Sequence, residues 1–270
     1  MASLKQLRKR IHSVNSTQKI TKAMQLVAAN KLSKAQDAFS ENIIVWDLMS
    51  RMLQNVLPVI KQDSLSKNDT QKILVLITAD KGLCGAYNSS VIKHFKNTLL
   101  RSGKNDENLD IILIGKKGKV LQNHLNTASY NNIPQDYLDL ADAVSVQIVE
   151  ILNQHGGGSV TLCFNNYKNA MTYENTERQI WPVAAAKQDS NYEIEGVDFL
   201  DTLQLYFKVA LVNSLLASNA AELSARMLAM DNATRNAESL IEKLTLSLNR
   251  NRQAMITKEL IEIISGAEAL

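Results

Sequence analysis

Residues 3–57 read SLKQLRKRIHSVNSTQKITKAMQLVAANKLSKAQDAFSENIIVWDLMSRMLQNVL, without one glycine or proline. Alternating strides of three and four from Leu4 visit Leu4, Leu7, Ile11, Val14, Gln18, Thr21, Gln25, Ala28, Leu32, Ala35, Phe39, Asn42, Trp46, Met49, Leu53, Val56 and Ile60. Only Gln18, Thr21, Gln25 and Asn42 are polar, so the stretch predicts one long helix with the apolar seam of a coiled coil. Pro58 is expected to stop or bend it.

The far end has the same character. No glycine or proline occurs between Gly196 and Gly266. The same stride passes Tyr206, Val209, Asn213, Leu216, Ala220, Leu223, Met227, Met230, Thr234, Ala237, Ile241, Leu244, Leu248, Asn251 and Met255, again mostly apolar. Ala217, Ala220, Ala221 and Ala225 permit close approach of a neighbouring helix, and Gly266 sits where a helix stop is expected.

At about 1.5 Å per residue these helices reach roughly 80 and 95 Å. A compact body of this chain length has a diameter near ~48 Å. Straight helices of that length cannot be contained in it, and their seams need burial. Winding the two termini antiparallel around each other meets both demands. The alternative is that each breaks into two shorter bundle helices.

Between them the periodicity changes. Ile73–Ala79, Leu109–Gly115 and Val160–Tyr167 read as short buried strands. Helical patterns near 88–101, 116–126 and 136–154 alternate with them, which predicts a small open α/β (Rossmann-like) sheet, parallel in part. Turns fall at Ser102-Gly103 and Gly156–Ser159. Glu177–Val183, with Trp181-Pro182, reads as an edge strand, because proline cannot donate to a ladder. The expected organisation is residues 1–60 and 200–270 as paired coiled-coil helices, around an α/β domain at 70–195.

Ten glycines and three prolines in 270 residues fit long uninterrupted elements. No run of apolar residues is long enough to span a bilayer, and MASLKQLRKRI lacks the apolar core of a secretory signal. Residues 1–36 hold eight Lys/Arg (Lys5, Arg8, Lys9, Arg10, Lys19, Lys22, Lys31, Lys34) and no acid. The formal net charge is +3, so the remainder carries −5. The basic end is expected to seek an acidic partner.

No catalytic or metal constellation is legible, and no cofactor is expected. His12, His94, His124 and His155 are scattered, and Cys84 and Cys163 form no ligand cluster. Asp80-Lys81-Gly82-Leu83-Cys84-Gly85-Ala86-Tyr87-Asn88 follows the first strand, where glycine-rich turns can hold phosphate. Neither G-x-x-x-x-G-K-[ST] nor G-x-G-x-x-G occurs, so the turn reads as a tight connection packing a helix against the sheet, with Cys84 a small packed residue. Gln18, Thr21 and Gln25 break the seam consecutively. They either set register or mark where the helix runs inside a polar sleeve of other subunits. Two rival functions remain open on these residues: a basic coiled-coil nucleic-acid binder using residues 1–36, and a small α/β enzyme using the Gly82–Gly85 turn.

Four segments carry a family likeness. Residues 19–32, KITKAMQLVAANKL, resemble the ITKAM-x-xVAA-x-K signature of the F-type ATP synthase gamma subunit. Asp80–Asn88 resembles its D-[RK]-GLCG-x-x-N, and residues 224–237, SARMLAMDNATRNA, are similar to its AARM-x-AM-x-xAT-x-NA. Residues 252–267, RQAMITKELIEIISGA, resemble RQA-x-IT-x-E-[IL]-x-EI-x-x-GA. The segment 116–200 matches only in outline.

The resemblance implies a non-catalytic rotor shaft. It would turn inside a ring of three alpha and three beta subunits and couple ion flow to ATP synthesis. It implies an α/β domain against the epsilon subunit and the c-subunit ring. By motif match, Met24, Arg226, Arg252, Gln253 and Thr257 would contact beta subunits or brace the shaft. The basic start would face acidic beta loops, and Ile256, Leu260, Ile261, Ile263 and Ile264 would seat in an apolar collar. A peripheral position at the cytoplasmic face of a bacterial inner membrane is expected, without thiol switching.

Overall fold

The computed structural model describes residues 4–56, 71–102, 108–122, 127–130, 133, 137–183 and 199–268. Pro58, Gly103 and His124, on which parts of the sequence reading fell, lie outside the described residues. The expected class holds. Two long terminal helices, α1 (Leu4–Val56) and α4 (Phe199–Glu268), flank a central five-stranded sheet. The chain divides into two compact units, Met1–Ala28 with Met227–Leu270, and Ala29–Arg226.

In the smaller unit the helices pair antiparallel. Thr21 meets Thr234, and Gln25 meets Asp231, so the partner's number falls as the residue number rises. Leu7, Thr21, Ala28, Ala237 and Leu244 are buried along this contact. Every seam position from Leu4 to Ala28 is at least half-buried, as the stride predicts.

In the larger unit, β1 (Lys72–Ile77), β2 (Leu109–Ile114), β3 (Thr127–Tyr130), β4 (Ser159–Asn169) and β5 (Thr172–Trp181) form the sheet in the order β3-β2-β1-β4-β5. β1 to β4 run parallel and β5 returns antiparallel beside β4. A parallel sheet covered on both faces needs near-continuous apolar strands, which explains KILVLI and LDIILI. Helix α2 (Tyr87–Ser102) buries Val91, Phe95 and Leu99 against Leu74, Leu76, Ile111 and Leu113. Helix α3 (Tyr137–His155) buries Val144, Ile148 and Leu152 on the opposite face, together with Leu203, Phe207 and Leu211 of α4 and Leu53 of α1. Each such fully buried aliphatic contributes about 1.5–3 kcal/mol.

A half-buried cation joins these layers. The Arg178 guanidinium of β5 lies over the rings of Trp46, at 5.6 Å, and Phe164, at 5.2 Å, and donates to Asn213 Oδ1 at 3.0 Å. Burial pulls its pKa down, and the two ring faces supply part of the solvation it has lost.

Three expectations need correction. Among the described residues, the pattern at 116–126 gives a 3-10 turn at Lys116–Leu121, and β3 starts at Thr127. Gly115, at φ 93°, leads into this turn, and both it and Gly118 sit against Thr78. β3 was missed because TASY is short and half-buried throughout, without alternation. The edge strand starts at Thr172 instead of Glu177, because Asn169 Oδ1 accepts from the Met171 and Thr172 amides and closes the hairpin early.

Gly115 and Gly82 make a contrast that denaturation can read. Gly115 has φ of 93°, and an added Cβ would lie 2.2 Å from the Thr78 carbonyl oxygen, whereas nothing lies within 4 Å of one at Gly82. Gly115→Ala is expected to cost about 3 kcal/mol or more. Gly82→Ala should stay within about 0.5 kcal/mol. Equal unfolding midpoints for the two variants would contradict this.

Candidate functional site

The polar breaks in the α1 seam answer to the opposite helix. Thr21 Oγ1 lies 2.8 Å from Thr234 Oγ1, and Gln25 Nε2 donates to Asp231 Oδ1 at 2.9 Å. Arg235, one turn along α4, holds the other Asp231 oxygen at 2.9 Å. Two directional bonds across an otherwise slippery apolar seam fix one axial alignment. This favours register setting over a polar sleeve for Thr21 and Gln25.

The same alignment places Leu4 beside Asn251. Asn251 is half-buried, whereas every residue from Arg252 to Ser265 is exposed. Among the described residues of this unit, the last turns of α4 therefore run on without a partner helix. Met255, Ile256, Leu260, Ile261, Ile263 and Ile264 are all exposed there, a contiguous apolar band of the kind that marks an interaction surface. Lys5, Arg8, Lys9, Arg10, Lys19 and Lys22 are exposed on α1, and none forms an ion pair among the described residues.

The motif residues are not gathered at one point. Met24 is half-buried beside Gln25, whose amide reaches Asp231, whereas Arg252, Gln253 and Thr257 are exposed on the last turns, roughly 30 Å further along α4. Thr257 Oγ1 donates back to the Gln253 carbonyl at 3.0 Å. Arg226 belongs to the larger unit, where it pairs with Glu222 and donates to the Gly82 carbonyl oxygen at 3.4 Å. Glu222 was not singled out by sequence, although its spacing of four from Arg226 was a legible signal.

The turn after β1 is structural in detail. Asp80 accepts from the Lys116 amide at 3.0 Å and from the Ile133 amide at 2.7 Å. Asn88 Oδ1 accepts from the Ala79 amide at 3.0 Å as α2 begins. Cys84 is a buried free thiol whose pKa is pushed up by burial, the opposite of an activated nucleophile. Tyr87 is fully buried, donates to the Ser218 carbonyl at 3.0 Å, and has its pKa raised by desolvation. The loop thus spends its polar groups on its own fold. Among the described residues no group of three or more His, Cys, Asp or Glu could hold a metal ion, and no helix is long and apolar enough to cross a membrane.

Comparison with known proteins gives this arrangement its class. The family model described as ATP synthase matches residues 3–270. The ATP synthase gamma chain of Rickettsia bellii is 39% identical, with 100% of both chains covered. That of Rickettsia felis is likewise 39% identical over the whole of both chains. A chain of the Tetrahymena thermophila mitochondrial ATP synthase central stalk and c-ring structure superposes with a TM-score of 0.60 at 26% identity, covering 79% of this chain and 99% of that one. A Euglena gracilis mitochondrial ATP synthase chain shares the fold, with a TM-score of 0.68 at 17% identity over 98% of this chain and 94% of that one. The chain belongs to the ATP synthase gamma-chain family. The nucleic-acid reading of the basic segment finds no support among these relatives.

The seam bonds can be weighed by a double-mutant cycle on Gln25→Ala and Asp231→Ala. A coupling of about 1 kcal/mol is expected in thermal or urea unfolding. Strict additivity would mean that the pair does not set register.

Proposed function

We propose that the chain is the central rotor shaft of an F-type ATP synthase, a non-catalytic subunit that couples ion flow through the membrane sector to ATP synthesis and hydrolysis on the beta subunits. The observation that carries this is the full-length relation to gamma chains, joined to an antiparallel helix pair whose exposed surface is basic along α1 and apolar at the end of α4. A shaft acts on three catalytic sites only through contacts that differ with angle. An asymmetric surface of this kind supplies them.

In this reading, three alpha and three beta subunits surround the helices, and epsilon and the c-ring bind the α/β domain. The segments 1–60 and 200–270 work together as the shaft, and 70–195 is the body it leaves. Lys5 to Lys22 attract acidic beta loops at long range, a contribution that salt screens. The exposed Ile256–Ile264 face is covered by an apolar collar. Met24, Arg252, Gln253 and Thr257 contact beta subunits at two levels of the shaft, and Arg226 serves as a brace. The protein is peripheral, at the cytoplasmic face of a bacterial inner membrane.

Co-expression with alpha and beta subunits tests the assignment. Recovery of an assembled head with ATPase activity is expected, and a chain that remains alone would remove it. Arg252→Ala with Gln253→Ala removes two exposed side chains, so the isolated chain should change stability by no more than about 0.5 kcal/mol. ATP-driven ion pumping by the assembled complex should fall several-fold. Undiminished pumping would take these residues out of the contact set.

A further inference from the structure

Glu222 and Arg226 stand one turn apart on α4 and pair with each other, with side chains only 16% and 14% exposed. A shielded ion pair is weak grounds for stability, since desolvation offsets much of the attraction. Its geometry offers another reason for its presence. The Arg226 guanidinium also donates to the Gly82 carbonyl oxygen at 3.4 Å, in the turn after β1. Lys81, Gly82 and Leu83 are all exposed, Leu83 holds a left-handed φ of 64°, and nothing lies near the position of a Gly82 Cβ. Packing therefore does not hold the crest of this turn. A guanidinium has donors enough to serve a carboxylate and a carbonyl at once, and the carboxylate fixes its direction.

We propose that Glu222 is a positioning residue, holding Arg226 where it clamps the Gly82 carbonyl, so that the turn and α4 move as one piece. Cys84, 2% exposed beneath the turn, is the built-in reporter of that clamp. The consequence for coupling rests on the rotor reading: load arriving at the turn passes into α4 through this clamp.

The groups around Glu222 come from four elements. They are Arg226 on α4, Asp80 and Lys81 in the turn, Cys84 and Tyr87 where α2 begins, and Tyr137 where α3 begins. Lys31 and Lys34 of α1 line the same cleft, of about 670 Å³. Asp80 is already engaged by two backbone amides. Burial raises the Glu222 pKa, and Arg226 opposes the rise without cancelling it. The carboxylate therefore takes up its proton earlier on acidification than an ordinary glutamate. By linkage, the stability contributed by the protonated form is present below the ordinary pKa and is lost as pH rises through the raised one.

The test is modification of Cys84 in the full chain by 4,4′-dithiodipyridine, resolved from Cys163 by peptide mass spectrometry and normalised to the unfolded chain. Glu222→Met is expected to label Cys84 about tenfold faster, as a local opening would. The exchange Glu222→Arg with Arg226→Glu restores an ion pair but moves the guanidinium away from Gly82, so labelling should stay fast. Arg226→Lys keeps the charge but not the planar fork that serves both acceptors, so it too should label faster. Far-UV circular dichroism establishes that each variant is folded before its rate is read. A wild-type rate in Glu222→Met, slow labelling in the exchanged chain, or a wild-type rate in Arg226→Lys would each overturn the clamp. In the assembled complex, Glu222→Met should lower ions pumped per ATP hydrolysed. Fast labelling with intact pumping would keep the clamp and overturn its part in transmission, while assembly itself tests the rotor reading.

Discussion

Burial of two apolar stripes by each other is the constraint on which the smaller unit depends. Among the described residues, neither α1 nor α4 has another element there to cover Leu7, Ala28, Ala237 or Leu244. Hydrophobic contact alone tolerates sliding, because one aliphatic layer resembles the next. The Thr21–Thr234 and Gln25–Asp231 bonds remove that freedom at the cost of some apolar area. A shaft that slipped along its own seam would dissipate strain instead of passing it on, so register matters more here than maximal stability.

The larger unit solves a different problem with the same helices. Its stretches of α1 and α4 lie against a sheet, and their apolar positions spread from a narrow seam to a broad face: Leu203, Phe207, Ala210, Leu211 and Leu215 are all buried with β1 and β4 residues. The small residues Ala217, Ala220 and Ala221 let α4 approach closely where β1 ends and Tyr87 reaches Ser218. One continuous helix therefore carries two kinds of surface, and the change falls near Arg226, where the two units divide.

Much of this was legible from residue order. Three- and four-residue strides from Leu4 and Tyr206 marked the covered positions, and ILVLI and IILI marked the central strands. What escaped depended on long-range partners. TASY became a strand only because β2 offered it a free edge. KKGKVL forms a 3-10 turn where Gly115 and Gly118 sit against Thr78, some forty residues earlier in the chain. Arg178 looked like one more surface cation until Trp46, Phe164 and Asn213 enclosed it. The family motifs named Arg226, but only the fold shows that its charge is turned inward onto Glu222 and a carbonyl.

Asp80 illustrates how an acid beside a glycine-rich turn can be wholly architectural in its chemistry. One of its oxygens receives the amide that follows β2, and the other receives an amide from beyond β3. Three parallel strand ends are thereby moored to a single carboxylate. Asparagine has nearly the same shape but presents a donor where the second acceptor is needed, and would set two N–H groups against each other. The residue type is dictated by that mooring, in a place where an acid beside a glycine-rich loop would otherwise invite a catalytic interpretation.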